Sequence, residues 1–282
     1  MVFIYLSIVV IMLVEQSVFN KFYSIKTGGK GVFVLTVLMS LSAALIFLLT
    51  GGKLNFERGI LPYSCGFAIS YLVCMVFNLA AIKCGSLALT SLVTSYSLMI
   101  PTLYGLVFLH EEAKFELYIG IALLIISILL MNFNSEKHSV SLKWGIFAFL
   151  SFLGNGMCSV VQKMEQIKFD GGYKNEFMLT ALMIVIIFAI FGVIKSERQE
   201  WRYCVRKGWY FCVAIGIGNA LVNYLIMVVS HLVNASVMFP VISAGGIIMT
   251  FIISQTLFKE KFSKQQFWGF VLGVLSVIFL SI

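Results

Sequence analysis

The chain has 282 residues, of which 60% are hydrophobic and only 11% are charged. A soluble domain carries about 25% charged residues, so this composition excludes an ordinary soluble protein. The net charge of +8 would suit a nucleic-acid partner, but the Lys and Arg residues lie at the ends of apolar stretches, where they face lipid headgroups. We therefore predict a membrane protein that binds the lipid bilayer and no nucleic acid.

Ten apolar stretches, each long enough to cross a bilayer as a helix, follow one another along the chain. They lack the alternating pattern of barrel strands, so the predicted fold class is an all-α integral membrane protein with ten transmembrane helices. The predicted spans are 2–22, 31–50, 60–82, 86–109, 114–133, 142–162, 174–195, 208–230, 234–258 and 265–282. They leave no room for a soluble catalytic domain, so we do not expect an enzyme.

Motifs for bound cofactors and metals are absent from the sequence. The six cysteines have no paired spacing, and there is no Walker loop, nucleophile elbow or HExxH motif. We therefore expect no cofactor, no metal site and no ATP-driven pump.

The second half of the chain repeats the first. LTVLM at 35–39 returns as LTALM at 179–183. We therefore predict two five-helix repeats, 1–133 and 142–282, within one integrated transmembrane domain. Because five is an odd number, the second repeat enters the membrane upside down. Such inverted repeats are common in secondary transporters, where the two halves exchange conformations around a site near the bilayer midplane.

A family resemblance rests on the segment from Ala88 to Met131. It combines a Ser/Thr-rich start with Pro101, an aliphatic run that ends in Glu111, and Gly120 nine residues further on. The second half has the same order in Ala235, Pro240, Gly245, Gly246, the 258–261 run and Gly269. The chain resembles EamA-like transporters of the drug/metabolite transporter superfamily. The resemblance implies secondary transport, but members carry amino acids, sugars, nucleotide sugars, quaternary amines and drugs, so it implies no one substrate.

Glu15 is the acid that we predict to lie deep within a span, since the other acids lie at helix ends or in connections. A charge at that depth costs about 2.5–3.5 kcal/mol. Glu15 therefore faces a wet cavity or carries a proton, and both suit a carrier that exchanges a coupling proton or binds a cation. Glu15-Gln16 stands where many family members have a tryptophan, and its placement is similar to the first-helix glutamate of the small multidrug resistance transporters. The structural alternative is a hydrogen bond to a neighbouring helix.

Amide side chains recur at helical spacing in two further spans. Asn155 and Gln162 share one face of the sixth predicted helix, and Asn219 and Asn223 share one face of the eighth. They predict a polar cavity for a small-molecule substrate, although interhelical hydrogen bonds that hold the bundle together are the alternative. Aromatic rings offer a face to a cationic substrate. The predicted substrate-binding residues are Glu15, Gln16, Asn78, Tyr96, Asn155, Gln162, Asn219, Asn223 and Tyr224.

Two prolines and two lysines are candidates for a role in conformational change. Pro101 and Pro240 fall inside predicted spans, where proline removes a backbone hydrogen bond and kinks the helix, so both are possible hinges. Lys21 and Lys163 hold matching positions in the two repeats, and inversion brings one near each face of the membrane. Snorkelling to the headgroups is the expected default for both. The alternative is a pair of latches that close the two ends of the cavity in turn.

The distribution of basic residues predicts the orientation. Connections after odd-numbered spans carry 14 Lys and Arg residues and those after even-numbered spans carry 6. The positive-inside rule then places both termini outside a cytoplasmic (plasma) membrane, whereas the family resemblance implies cytoplasmic termini. Gly269 and Gly273 form a GxxxG pair that allows either a monomer or a homodimer seam.

The leading function is secondary transport of a small organic solute by alternating access, with a cationic or amine-containing metabolite or drug as the preferred substrate and a proton or ion as coupling partner. A carrier of neutral metabolites such as amino acids or sugars is an alternative. A membrane-embedded sensory or interaction subunit without turnover is another, and a channel is a third.

Overall fold

A computed structural model of the chain describes residues 2–52, 54–84, 93–94, 96–112, 115–132, 142–256 and 264–281. This part of the chain contains ten α-helices of ten residues or more and no β-strand, so the protein is all-α as predicted. Short 3-10 turns at Arg58–Ile60 and Tyr96–Leu98 precede the third and fourth helices. The helices are α1 (Val2–Thr27), α2 (Val32–Thr50), α3 (Leu61–Cys84), α4 (Met99–Phe108), α5 (Phe115–Asn132), α6 (Leu142–Lys168), α7 (Lys174–Ser196), α8 (Trp201–Leu232), α9 (Ala235–Thr256) and α10 (Lys264–Ser281).

Six of the described helices are long and apolar enough to cross a membrane, namely α1, α2, α3, α6, α7 and α8. A helix rises about 1.5 Å per residue, so some 20 apolar residues match the hydrocarbon thickness. Four shorter apolar stretches lie in α4, α5, α9 and α10, at Met99–Phe108, Phe115–Ser127, Ala235–Gly246 and Phe267–Ser276. The chain is therefore a helical membrane protein, as its composition indicates.

Three helices extend at least five residues beyond the predicted apolar spans, and α1 is the first of them, since it continues past 22 to Thr27. α6 continues past 162 to Lys168, and α8 begins at Trp201 rather than at 208. The added residues include no proline, and most are adequate helix formers. α6 ends where Asp170 and Gly171 take positive φ angles of 50° and 73°, which no helix can continue. As a result, polar residues predicted for connections lie on the last turns of α6 and the first turns of α8.

The second helices of the two predicted repeats, α2 and α7, run antiparallel where they touch. α2 and α7 are joined at one end by the Asn55 amide, which donates to Glu176 Oε1 at 2.9 Å, and at the other by the Phe33 amide, which donates to Glu197 Oε1 at 3.1 Å. The start of α2 therefore meets the end of α7. The main packing pairs are α1–α8, α3–α6, α2–α7, α2–α8, α3–α7, α5–α10, α4–α9, α9–α10, α1–α9 and α4–α6.

The two largest apolar clusters among the described residues lie between these helices. One lies where α1, α5, α8 and α9 meet and includes the buried Leu124 and Phe239. The other lies where α2, α3, α6, α7 and α8 meet and includes the buried Phe47 and Phe177. α6 and α8 also contribute polar faces beside these clusters, and the site described next lies there.

Candidate functional site

Four amide side chains from three helices form one hydrogen-bonded chain. Gln162 Nε2 on α6 donates to Asn223 Oδ1 on α8 at 2.7 Å. Asn223 Nδ2 donates to Asn219 Oδ1 at 3.1 Å, and Asn219 Nδ2 donates to Gln16 Oε1 on α1 at 3.4 Å. The spacing of four residues places Asn219 and Asn223 one above the other on α8. We call Gln16, Asn219, Asn223 and Gln162 the amide chain; it joins the two predicted repeats.

Glu15 lies at the α1 end of the amide chain. Its Oε2 is buried and has no hydrogen-bond partner among the described residues. The same oxygen packs against Gly218 of α8, the neighbour of Asn219, in space that a Cβ at that position would need. A buried acceptor without a donor costs about 1–3 kcal/mol, and more when it is charged. A cationic group on a ligand would supply the missing donor, and a proton on the carboxylate would remove its charge.

A second polar cluster lies at the junction of α8 and α9. The Glu111 carboxylate accepts hydrogen bonds from the Ala235 and Ser236 amides, both at 2.8 Å, and so caps the start of α9. Lys163 Nζ donates to Ser230 O at 2.6 Å and to Val233 O at 2.9 Å at the end of α8. We call Lys163 and Glu111, with these backbone partners, the junction pair.

The two charges of the junction pair are themselves close. Lys163 Nζ lies 3.8 Å from Glu111 Oε1, and each side chain is only 7% exposed. The prediction that Lys163 snorkels to the headgroups is therefore wrong, because carboxylate and carbonyl oxygens surround it inside the protein. Lys21, its counterpart in the first repeat, is exposed, while Glu260, the counterpart of Glu111, lies outside the described residues.

Glu165 is a buried acid close to the junction pair in sequence, at the end of α6. The residue is fully buried in the last turn of α6, where Gln166 Nε2 donates to its Oε2. Its Oε1 has no hydrogen-bond partner among the described residues. Glu165 lies at a helix end, as predicted, but the sequence pattern did not predict its burial. Position near a helix end did not imply exposure because α6 continues past its apolar span.

The remaining predicted binding residues lie outside the amide chain. Asn155 Nδ2 donates to Ser97 Oγ at 2.5 Å and so ties α6 to the turn before α4. Asn78 is partly buried near the end of α3 and makes no hydrogen bond to the amide chain. Tyr224 follows Asn223 on α8 but is 40% exposed. Tyr96 lies in the 3-10 turn, and its side chain is outside the described part of the structure.

The two predicted hinge prolines lie at different places within their helices. Pro240 lies inside α9, as expected. Pro101 lies in the first turn of α4, because the described α-helix begins only at Met99 after a 3-10 turn. A proline in the first turn removes no intrahelical hydrogen bond. The break in regular helix at this point is the 3-10 turn itself.

Sequence reasoning assigned no role to Glu111 or Glu165 in the site and gave Lys163 a default role at the membrane surface. The matching positions of Lys163 and Lys21 were the available signal for the junction pair. No comparable signal marked Glu165. Among the described residues, no group of three or more His, Cys, Asp or Glu side chains has the arrangement of a metal site.

No protein-family model matches the chain, and no curated protein matches it. Solved structures do resemble it, with 28 matching chains. One of these, a crystal structure of a protein, superposes with a TM-score of 0.79 at 14% sequence identity and covers 97% of this chain and 94% of its own. At this identity the match shows that the fold is shared and carries no information on function.

Proposed function

We propose that the protein is a secondary transporter that moves a small organic solute across the cytoplasmic membrane by alternating access. The observation that carries this proposal is the amide chain, which ends beside Glu15, a carboxylate with a buried oxygen that lacks a partner. Polar groups inside a membrane bundle are costly and are most often part of a solute or ion pathway. The site joins both halves of the chain, as alternating access requires.

Ten membrane spans in two inverted repeats are part of the same proposal. The antiparallel contact of α2 with α7 supports inversion, since parallel repeats would align these helices. The packing pairs show the same symmetry. When each helix is replaced by its counterpart in the other repeat (α1 by α6, α2 by α7, α3 by α8 and α4 by α9), the result is again an observed pair: α1–α8 becomes α6–α3, α2–α8 becomes α7–α3, and α1–α9 becomes α6–α4. This symmetry is compatible with membership of the EamA-like transporters, which we also propose.

The preferred substrate is a cationic or amine-containing metabolite or drug. Glu15 would pair with the cationic group, and the amides of Gln16, Asn219 and Asn223 would orient the rest of the solute by neutral hydrogen bonds. When the solute is absent, a proton on Glu15 would neutralise the carboxylate. Exchange of the proton for the cation couples solute movement to a proton gradient.

A carrier of neutral metabolites is the second candidate, and the amide chain itself favours it. Amides both donate and accept, which matches the hydroxyl and carbonyl groups of sugars or amino acids. In that case Glu15 would serve only as a proton site or a structural group. The two candidates differ in whether the ligand must carry a positive charge.

The junction pair would act as the latch of one end of the cavity. It joins α6, the end of α4 and the α8–α9 connection through five polar contacts. In the ten-span topology it lies on the same membrane face as both termini, and Lys21, which matches Lys163 in the first repeat, would belong to the latch of the other face. Opening one latch while the other closes would give alternating access.

A thermal-shift screen of the purified protein tests the proposal. We expect a cationic amine to raise the melting temperature of the wild type and to have no effect on Glu15→Gln, which keeps the volume of the side chain. Stabilisation of both proteins by the same neutral sugars or amino acids would favour the second candidate. Absence of any stabilising ligand among amines, amino acids and sugars would count against transport of these classes.

A further inference from the structure

Two adjoining cavities lie where α7 meets α2 and the start of α8. The larger has a volume of about 460 Å³ and is lined by Val193, Ile194, Arg198 and Trp201. The smaller, of about 210 Å³, shares three of these residues and continues between α2 and α7 along wholly apolar side chains. We call the two cavities together the α2–α7 groove. It is apolar along its length and has one cationic side chain, Arg198, at one end.

Two arginines, Arg198 and Arg202, lie at or near one end of the groove. Arg198 is exposed in the short connection between α7 and α8. The guanidinium of Arg202 lies 5.4 Å from the ring centre of Trp201, and that ring lines the groove. Trp201 is 42% exposed, as expected for an aromatic ring at the level of the headgroups.

The acids of the same connection are already engaged elsewhere. Glu197 is buried and accepts hydrogen bonds from two amides at the start of α2. Glu200 pairs with Lys30 at 2.6 Å, and this pairing raises the pKa of the Lys30 ammonium. Neither acid lines the groove, whose lining residues all belong to the described part of the chain. No acidic side chain in the lining of the groove therefore neutralises the positive charge of Arg198.

We propose that the α2–α7 groove binds one anionic phospholipid of the surrounding bilayer. An acyl chain lies along the apolar part between α2 and α7, both of which are long and apolar enough to cross the membrane. The phosphate lies at Arg198, beside Trp201. Basic side chains at a membrane surface attract anionic lipids, and each contributes about a fivefold factor in affinity. This proposal does not depend on the transport function.

Quenching of Trp201 fluorescence by brominated lipids tests the proposal directly. The full-length protein is placed in nanodiscs of a zwitterionic lipid with increasing fractions of brominated phosphatidylglycerol or brominated phosphatidylcholine. The Trp201 signal is the difference between the wild type and Trp201→Phe. We expect half-maximal quenching at an at least fivefold lower fraction of phosphatidylglycerol than of phosphatidylcholine. Coincident curves for the two lipids would overturn the proposal.

Three variants and a soluble competitor test whether the preference for phosphatidylglycerol arises in the α2–α7 groove. Arg198→Gln should remove most of the preference, whereas Arg206→Gln, an exposed arginine outside the lining, should keep it. Ile194→Trp should fill the groove and weaken quenching by both lipids; it adds a tryptophan, so its signal is measured against an Ile194→Trp, Trp201→Phe double variant. Soluble glycerol 3-phosphate in excess should not compete, because it lacks acyl chains. Equal loss in the Arg198 and Arg206 variants, or competition by glycerol 3-phosphate, would contradict a lipid in this groove.

Discussion

The buried oxygen of Glu15 packs directly against the backbone of Gly218, in the space that any larger side chain at that position would occupy. The contact sets the position of the carboxylate next to Asn219 and thus at the end of the amide chain. Glycine at 218 is therefore a requirement of the site rather than of the helix, since glycine lowers the stability of a helix interior.

Gly218→Ala should displace the Glu15 carboxylate and abolish ligand-induced stabilisation, while the protein still inserts and folds. Alanine stabilises a helix by about 1 kcal/mol relative to glycine, so a loss of binding would reflect the displaced carboxylate and not a weaker helix. The measurement is the thermal shift with a stabilising amine. Gly145→Ala is the matched control, because a Cβ on Gly145 of α6 would meet nothing within 4 Å. A ligand response unchanged in Gly218→Ala would contradict this role for the contact.

Lys163→Met should destabilise the protein strongly. It leaves the buried Glu111 without its charge partner, and removal of one member of a buried pair typically costs about 3–5 kcal/mol. Lys30→Met is the matched control: the Lys30 and Glu200 side chains are 55% and 38% exposed, so solvent screens their attraction and its loss should change stability little. Denaturation midpoints in detergent measure the difference. Similar midpoints for the two variants would show that the junction pair is energetically unimportant.

The same Lys163→Met variant tests the latch. A cysteine introduced at Asn219 should react faster with a membrane-impermeant reagent in the Lys163→Met variant than in the protein that keeps Lys163. The difference should be seen when the reagent is added from the face that carries the junction pair, because that end of the cavity would open more often. Unchanged reactivity from both faces would leave the pair with a structural role only.

Gln162→Leu should weaken substrate binding more than it weakens the fold. It removes the donor to Asn223 Oδ1, and an unsatisfied buried acceptor costs about 1–3 kcal/mol. We expect the concentration for half-maximal transport to rise about tenfold. Gln199→Leu, at an exposed residue in the α7–α8 connection, is the control. An identical response of the two variants would exclude the amide chain from the site.

How much of the site was predictable depended on whether the contact lies within one helix or between helices. The stacking of Asn219 on Asn223 follows from a spacing of four residues. Their contacts with Gln16 and Gln162 require knowledge of which helices pack together, which periodicity does not contain. Asn155 shares a face with Gln162 but lies seven residues away, about 10 Å along the axis, and so it reaches a different partner.

The fold was predictable to a similar degree. Apolar stretches locate the helices well because the cost of burying polar backbone in lipid dominates. They place helix ends less well, as the polar ends of α6 and α8 show. The burial of Lys163 could not be predicted from composition, because it depends on Glu111, which is 52 positions away in the sequence.

A cysteine introduced at Arg198 tests the orientation. In a background without the six native cysteines, it should not react with an impermeant reagent added outside the cell, because the basic α7–α8 region is expected on the cytoplasmic side. A cysteine at Asn234, in the α8–α9 connection, should react under the same conditions. The reverse pattern would place both termini inside.

Proteoliposome flux with and without an imposed pH gradient tests the central claim most directly, with wild type, Glu15→Gln and the exposed-acid control Glu112→Gln measured in parallel. If Glu15 is the coupling or cation-binding carboxylate, flux of a stabilising amine should respond to the gradient in the wild type and in the control. It should fall to background in Glu15→Gln, because an amide neither exchanges a proton nor neutralises a cation. Undiminished, gradient-sensitive flux in Glu15→Gln would contradict the claim and leave the amide chain alone as the site.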